Sequence, residues 1–264
     1  MQRRIGLLIS GLAFLLLMAA VSTATALTPT TTSTIALPLI RIDSTPTATS
    51  TPPTFSDNFC NSNSGWPSGS DSFSTVGYLP CEYQIVVLQA NYLIRIGHSY
   101  QAADFQAEVD AHAATGAAGS VGMYFGSVTN VGFYDFEVTN NQFALFHWDI
   151  SNPNNTVITP LINPTSNSAI LGGTSTNHLK VTRAGSVITL FANGTQLAQI
   201  TNNTLGTGFV GLAATGFANN FDARFDNFLL VEAAPQNVRA SGEATREKVA
   251  PLAARPAAWT SVAR

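Results

Sequence analysis

The sequence predicts an all-β protein in which two antiparallel sheets pack face to face. The clearest observation is the segment 104–112, where polar side chains alternate without a break with Phe105, Ala107, Val109 and Ala111. Strict alternation is typical of a strand with one buried face and one solvated face. Similar segments recur between turns rich in Gly, Asn, Asp and Ser, and no segment has a helical period. Many antiparallel strands in one domain favour a sandwich of two sheets.

Individual strands can be assigned from these alternations and from the turns that bound them. We expect strands near 82–88, 91–97, 104–113, 120–126, 132–138, 142–149, 155–161, 177–183, 186–192, 195–200, 208–214 and 221–231. Asn140-Asn141 and Asn193-Gly194 are expected to form two-residue hairpin turns, because Asn and Gly tolerate a positive φ. Each turn fixes the register of the strands on either side of it.

The composition favours an extracellular β protein and excludes some partners. Of the 264 residues, 45 % are apolar and only 10 % are charged, whereas about a quarter are charged in an ordinary domain. Residues 55–232 carry four basic side chains against twelve acidic ones, which gives a net charge of −8. Nucleic acid and anionic membrane surfaces are therefore not expected as partners.

Both ends of the chain differ from the folded region between them. Residues 1–26 have a basic start, an apolar run and the small residues Ala24-Thr25-Ala26, which predicts a secretory signal peptide; an uncleaved membrane anchor is the alternative. Residues 27–54, rich in Thr and Pro, are expected to be a linker. Residues 233–264 are expected to form a disordered tail with a short helix around 241–254. We predict that the domain 55–232 lies outside the cell, secreted or anchored to the cell envelope.

The two cysteines are predicted to form a disulfide. Cys60 and Cys81 are separated by twenty residues rich in Ser, Gly and Asn, and an oxidising compartment allows them to pair. A metal site with the two Cys as ligands is the alternative, but it lacks nearby His partners, and a redox pair would usually have the spacing Cys-x-x-Cys.

A succession of short motifs gives the sequence a resemblance to a known family. The motifs are Phe55-Ser56-Asp57-Asn58-Phe59, Ser64-Gly65-Trp66, the strand pair from Tyr78 to Val87, Gly122-Met123-Tyr124-Phe125, Phe133-Tyr134-Asp135-Phe136, Asn177-His178-Leu179-Lys180-Val181, Val187 to Gly194, Gly208 to Leu212 and Phe225-Asp226-Asn227-Phe228. In this order they resemble the concanavalin A-like lectin/glucanase domains, which include laminin-G-like and keto-disaccharide hydrolase-like members. The resemblance implies a jelly-roll sandwich, and it leaves open which function the sandwich carries.

The best candidate binding surface is the set of Gln106, Glu108, Asp110 and His112, here called the polar row. These side chains share one strand face at a spacing of about 7 Å, so they can line a groove. Neighbouring strands are expected to add Tyr124, Asp135, Glu137 and Trp148, the last as a platform for a sugar ring if it points outward. The alternative is that the polar row is an ordinary solvated sheet face.

Three functions are compatible with this surface. We predict a non-catalytic, lectin-like domain whose partner is a polysaccharide or other glycan. A glycoside or keto-disaccharide hydrolase is the first alternative, and a structural or adhesive domain is the second. Glu108-x-Asp110-x-His112 is similar to the Glu-x-Asp-x-Glu strand of jelly-roll glucanases, but His112 stands where the resemblance requires the acid/base Glu. We therefore predict no catalytic residue.

No cofactor is expected, with one exception. In the superfamily the first and last strands pair, which would bring Asp57 and Asp226 together as oxygen ligands for a structural Ca²⁺. The alternative for these residues is a role in turns, which Asp commonly has. The four histidines lack the spacing of a zinc motif.

Overall fold

The computed structural model describes residues 54–116, 118–233 and 245–249, which form sixteen strands and no helix. The predicted signal peptide and nearly all of the predicted linker lie outside these residues. The strands are β1 (Thr54–Asp57), β2 (Gly69–Ser70), β3 (Ser74–Leu79), β4 (Glu82–Val87), β5 (Tyr92–Ala102), β6 (Phe105–Ala113), β7 (Gly119–Val128), β8 (Gly132–Thr139), β9 (Gln142–Asp149), β10 (Val157–Ser166), β11 (Asn177–Ala184), β12 (Val187–Ala192), β13 (Thr195–Thr201), β14 (Gly208–Gly216), β15 (Phe221–Glu232) and β16 (Thr245–Val249).

The strands form two antiparallel sheets. The nine-stranded sheet has the order β13-β12-β11-β6-β15-β4-β3-β2, and β1 also pairs with β15. The seven-stranded sheet has the order β10-β9-β8-β7-β14-β5-β16. The predicted fold class, an all-β jelly-roll sandwich of two antiparallel sheets, is confirmed.

All twelve strands expected from the sequence are present, with ends shifted by a few residues. Both hairpin turns are confirmed, because Asn140, Asn141, Asn193 and Gly194 have φ values of 37°, 63°, 50° and 78°. These are left-handed backbone conformations, which Asn and Gly adopt at low cost. The alternation rule therefore located these twelve strands from local sequence alone, whereas β1, β2, β3 and β16 were not among the strands it assigned.

The prediction for the C-terminal tail is wrong over residues 245–249. These residues form β16, which pairs with the edge of β5 instead of forming a helix or remaining disordered. The Arg246 guanidinium donates hydrogen bonds to the carbonyl and hydroxyl oxygens of Ser74, and the Glu247 carboxylate contacts Arg95. Three of these five residues are charged, so the sequence shows no strand pattern here. In the structure, side chains of β16 contact both sheets.

The main core lies between the two sheets. The nine-stranded sheet contributes Phe105, Ala107, Val109 and Ala111 from β6, all nearly inaccessible to solvent. The facing side of the seven-stranded sheet contributes residues such as Phe125. This burial is what separates the two faces of β6 and turns the polar row outward.

A second buried cluster lies on the opposite face of the seven-stranded sheet. It contains Leu93, Tyr124, Phe133, Ala144, Phe146, Trp148 and Ala213. Along β7, for example, Tyr124 belongs to this cluster whereas the next residue, Phe125, belongs to the main core. The seven-stranded sheet therefore buries side chains on both faces, which explains why the alternation along 142–149 does not reveal a single core face.

The start of the domain is held by a disulfide and by an aromatic contact. The predicted Cys60–Cys81 disulfide is confirmed. Nearby, the Trp66 indole donates a hydrogen bond of 2.9 Å to Asp57 Oδ2, and the ring lies edge-on to Phe228, 5.1 Å between centroids. Within the described ranges, no helix is long and apolar enough to cross a membrane.

Close contact between β7 and β8 makes Gly122 a sensitive position. A Cβ atom at Gly122 would lie 1.9 Å from the Phe136 carbonyl oxygen, whereas a Cβ at Gly206 would meet no atom within 4 Å. We expect Gly122→Ala to lower the free energy of unfolding by about 1–3 kcal/mol, because β8 must shift. The matched control Gly206→Ala should change it by less than about 0.5 kcal/mol. Urea unfolding of both variants measures the difference, and equal stabilities would contradict the close packing.

Candidate functional site

The polar row occupies the outward face of the nine-stranded sheet, as predicted. Gln106, Glu108, Asp110 and His112 are each partly exposed and alternate with buried residues along β6. In the centre of this sheet, β6 pairs with β11 on one side and with β15 on the other. Side chains from both neighbours can therefore reach the polar row.

His178 joins the two carboxylates of the polar row. It lies on β11 directly opposite Asp110, and its Nδ1 is 2.7 Å from Asp110 Oδ1. Its Nε2 is 3.3 Å from Glu108 Oε2. A neutral imidazole carries one hydrogen, so only the protonated ring can donate to both carboxylates at once.

The remaining oxygen of each carboxylate also has a hydrogen-bond donor. Gln106 Nε2 donates to Glu108 Oε1 at 2.8 Å, and Asn227 Nδ2, from β15, donates to Asp110 Oδ2 at 2.9 Å. Asn227 reaches Asp110 because the β15 register shifts between Asp226 and Leu229, where Asn227 adopts a φ of 52°. All four carboxylate oxygens are thereby oriented by neighbouring side chains.

A second ionic group lies at the His112 end of the polar row. His112 Nε2 is 3.7 Å from Glu82 Oε1. Glu82 also contacts Arg224 at 3.4 Å, and Arg224 Nε donates to Asp222 Oδ1 at 2.6 Å. These partly exposed pairs extend the charged surface across β6, β15 and β4.

One half-buried aromatic side chain lies on the same face. Phe191 of β12 is opposite Lys180 of β11, which in turn is opposite Glu108 of β6. Lys180 Nζ is 4.4 Å from the centroid of the Phe191 ring. Lys180 therefore lies between Glu108 and the Phe191 ring, with its ammonium group near the ring.

The expected contribution from neighbouring strands is wrong. Tyr124, Asp135, Glu137 and Trp148 lie on β7, β8 and β9 of the seven-stranded sheet, and all four point away from the main core and are buried. The connection from β6 to β7 passes from one sheet to the other. β6 and β7 follow one another in sequence but lie in different sheets. The polar row and these four residues are therefore on opposite sides of the sandwich.

The buried set has its own contacts. Trp148 is fully buried, stacks on Phe133 with 5.4 Å between ring centroids, and donates from Nε1 to Asp135 Oδ2 at 3.1 Å. Glu137 accepts hydrogen bonds from the hydroxyls of Ser120 and Thr215. In this structure Trp148 does not offer a surface for a sugar ring.

Asp57 has the turn-forming role that was the alternative to calcium binding. Its Oδ1 accepts a hydrogen bond from the Phe59 amide at 2.8 Å, and its Oδ2 accepts from Trp66. Asp226 Oδ1 accepts from the Asn227 amide at 2.7 Å. Among the described residues, no group of three or more His, Cys, Asp or Glu side chains is arranged to hold a metal. Calcium binding stays a prediction.

Asp226 is the carboxyl of this surface whose pKa is raised. Burial is the main cause, and the negative charges of Asp110, Glu82 and Asp57 also raise the pKa, whereas the hydrogen bond from the Asn227 backbone amide lowers it.

Sequence reasoning did not identify His178 and Asn227 as residues of the site. Alternation along 177–183 could have placed His178 on the outward face, but its contact with Asp110 depends on the pairing of β11 with β6.

Comparison with known proteins gives structural similarities only. No protein-family model and no curated protein matches the chain. Among solved structures, the carbohydrate binding module CBM66 from Bacillus subtilis is 14 % identical with a TM-score of 0.40, covering 64 % of this chain and 96 % of that one. The Bacillus licheniformis beta-glucanase is 14 % identical with a TM-score of 0.43, covering 69 % and 98 %.

The Crh5 transglycosylase is 12 % identical with a TM-score of 0.45, covering 73 % of this chain and 87 % of that one. These structures agree with the resemblance expected from the sequence. At such low identities and TM-scores, these similarities do not indicate what this chain binds. The assignment as a two-sheet jelly-roll sandwich is based on the strand pairing of this chain itself.

The raised pKa of Asp226 gives a pH-dependent stability with a defined sign. A carboxyl whose pKa is higher in the folded state contributes stability below its unfolded pKa, and this contribution is lost as the pH rises through the folded pKa. Asp226→Asn should therefore be more stable than the parent at about pH 7, and the difference should disappear below about pH 4.

Asp149→Asn is the matched control, because hydrogen bonds from Ser151 lower the pKa of Asp149. For Asp149→Asn the expected change in stability has the opposite sign: any difference from the parent should be a loss of stability at neutral pH. Urea unfolding at both pH values tests the pair. A lower stability of Asp226→Asn at neutral pH would contradict the assignment.

Proposed function

We propose that this protein is a non-catalytic carbohydrate-binding protein that uses the polar row as its hydrogen-bonding surface. The observation that carries the proposal is the pair of carboxylates, Glu108 and Asp110, held in fixed orientation by Gln106, His178 and Asn227 while still partly exposed. A carboxylate oxygen has two lone pairs, so each can accept a further bond from a ligand hydroxyl.

The chemistry of this surface fits a sugar. Hydrogen bonds from hydroxyls to carboxylates are stronger than those between neutral groups. Because the acceptors are already oriented, less side-chain entropy is lost on binding. Two strands away from Glu108, beyond Lys180, Phe191 supplies an apolar surface of the kind that complements the C–H groups of a sugar ring.

The charge of the surface favours an uncharged glycan. Its acidic residues are Glu82, Glu108, Asp110, Asp222 and Asp226, and its permanently basic residues are Lys180 and Arg224. An acidic polysaccharide would bring further negative charge to carboxylates that already repel one another. Neutral sugars avoid this cost.

Binding is favoured over hydrolysis by the residue types of the polar row and by their arrangement on one strand. A glycosidase of the usual kind needs one carboxyl group that donates a proton and another that acts as nucleophile or base. Here the two carboxylates lie side by side on one strand, and both contact the same His178 ring. The next outward position on β6 is His112, so the polar row itself supplies no third carboxyl group.

The cellular location belongs to the same proposal. The export signal predicted at residues 1–26 would carry the domain out of the cell, where polysaccharides are accessible. Cys60 and Cys81 form a disulfide, which suits an oxidising compartment.

A glycan array tests the proposed function directly. The exported protein should bind at least one uncharged glycan, and Glu108→Gln and Asp110→Asn should each raise the Kd by about tenfold or more, since hydrogen bonds to charged groups contribute roughly 1.5–3 kcal/mol. Asp149→Asn makes the same chemical change on β9 of the other sheet and should leave the Kd unchanged. Running the array with and without Ca²⁺ tests the calcium prediction in the same experiment.

Three outcomes would contradict the proposal. Binding to no glycan would favour a structural or adhesive domain. Equal loss of affinity in Asp149→Asn and Asp110→Asn would place the sugar elsewhere. Hydrolysis of a bound glycan that disappears in Glu108→Gln would make the protein an enzyme.

A further inference from the structure

A cavity of about 230 Å³ opens at one end of the sandwich, next to His112. The end of β6, the β6–β7 loop, the β8–β9 hairpin and the loop before β11 surround it. Its floor includes Val121 and Val138, from the core side of the seven-stranded sheet, and Phe221 from the nine-stranded sheet. The cavity therefore lies where the two sheets separate at their ends.

The walls of this cavity are already fixed. The Asn177 side chain is almost fully buried; its Oδ1 accepts from the Leu171 amide at 2.8 Å and its Nδ2 donates to the Leu171 carbonyl oxygen at 3.0 Å. These two bonds hold the loop that forms one wall. Across the cavity, Thr139 Oγ1 donates to the Gly119 carbonyl oxygen at 2.6 Å and fixes the strand that forms the opposite wall.

The lining combines apolar and uncharged polar groups. Leu171, one of the exposed large hydrophobic residues, is 48 % accessible at the rim. Asn140 and Ser175 line the cavity with exposed side chains that, among the described residues, have no recorded side-chain hydrogen bond. The lining side chains that the structure describes include no Asp, Glu, Lys or Arg, and His112 is their one ionisable group.

These features define the size and chemistry of a ligand. Sites for drug-sized molecules have volumes of roughly 300–1,000 Å³, so a cavity of about 230 Å³ suits a single ring. Exposed amide and hydroxyl groups beside an apolar floor suit a ring that has hydroxyls on its edge and C–H groups on its face. The absence of a compensating charge among the described lining residues makes a charged ring unfavourable there.

We propose that this cavity binds one uncharged sugar residue, the terminal residue of a glycan chain. His112 is the last member of the polar row and also one of the residues that line the cavity, so the end of the row and the cavity are neighbours. From Gln106 to His112 the row extends about 20 Å along β6. A chain whose terminal residue occupies the cavity can therefore continue onto the row, where its internal residues would meet the open sheet face. The inference rests on the proposed function for the chemical class of its ligand.

The four histidines allow the cavity and the row to be observed separately. His112 reports on the cavity, His178 reports on the row, and His98 and His147 lie elsewhere in the fold. The exported protein, labelled at its histidine rings, is titrated with glucose, galactose, mannose, N-acetylglucosamine and glucuronate, and the ring NMR signals are followed. His112→Gln assigns the cavity signal.

At least one neutral monosaccharide should shift the His112 signals, while glucuronate should not, and the two reference histidines should stay unchanged. Ser175→Tyr should fill the cavity and raise the Kd of the bound monosaccharide by about tenfold or more. Ser166→Tyr, an equal change at an exposed position on β10, should leave it unaltered.

The outcomes separate the cavity from the proposed function. If no neutral monosaccharide shifts His112 at millimolar concentration, or if Ser175→Tyr binds as the parent does, the cavity proposal is overturned. If array-positive glycans shift His178 but never His112, the polar row binds glycans and the cavity does not. If His112 responds to monosaccharides and His178 responds to no glycan, the cavity proposal stands and the row proposal fails.

Discussion

The pairing of β6 with β15 is the interaction on which the rest of the structure depends. β15 closes the domain against β6 on one edge, while its other edge receives β4 along one half and β1 along the other. The same pairing carries Asn227 to Asp110. Because the contact joins residues more than a hundred positions apart, the polar row acquires its final geometry only when β6 and β15 are paired.

Local sequence was sufficient for twelve of the sixteen described strands and insufficient for their arrangement. Period-2 alternation depends only on one face being buried, so it located β6 and the strands around it. It contains no information on which sheet a strand joins, and this is why β7, β8 and β9 were wrongly placed beside β6. β16 was missed for a different reason. Arg246, Glu247 and Lys248 are consecutive charged residues, which give no alternation of apolar and polar positions, and the position of the strand depends on contacts with Ser74 and Arg95.

The residues of the candidate site also fall into two groups: those that local sequence predicted and those that depend on strand pairing. The side of β6 that carries Glu108 and Asp110 followed from alternation with Val109 and Ala111. His178 and Asn227 could not be added, because each arrives through a strand pairing, and Asn227 also requires the shift of register in β15. For Trp148 the local pattern was ambiguous, since β9 has apolar residues on both faces and both faces are buried.

Two pairs of carboxylates, Glu108 with Asp110 and Asp135 with Glu137, each lie two positions apart on one strand. The two pairs differ in burial, and this difference determines what each can do. Asp135 and Glu137 are fully buried and accept hydrogen bonds from Trp148 and from hydroxyl groups. Replacing such a bond inside the protein leaves a donor without its acceptor, which costs roughly 1–3 kcal/mol. Glu108 and Asp110 are partly exposed, so water already competes for their lone pairs and a ligand hydroxyl can take its place at little cost. The exposed pair is therefore suited to exchange partners, whereas the buried pair is suited to hold the seven-stranded sheet together.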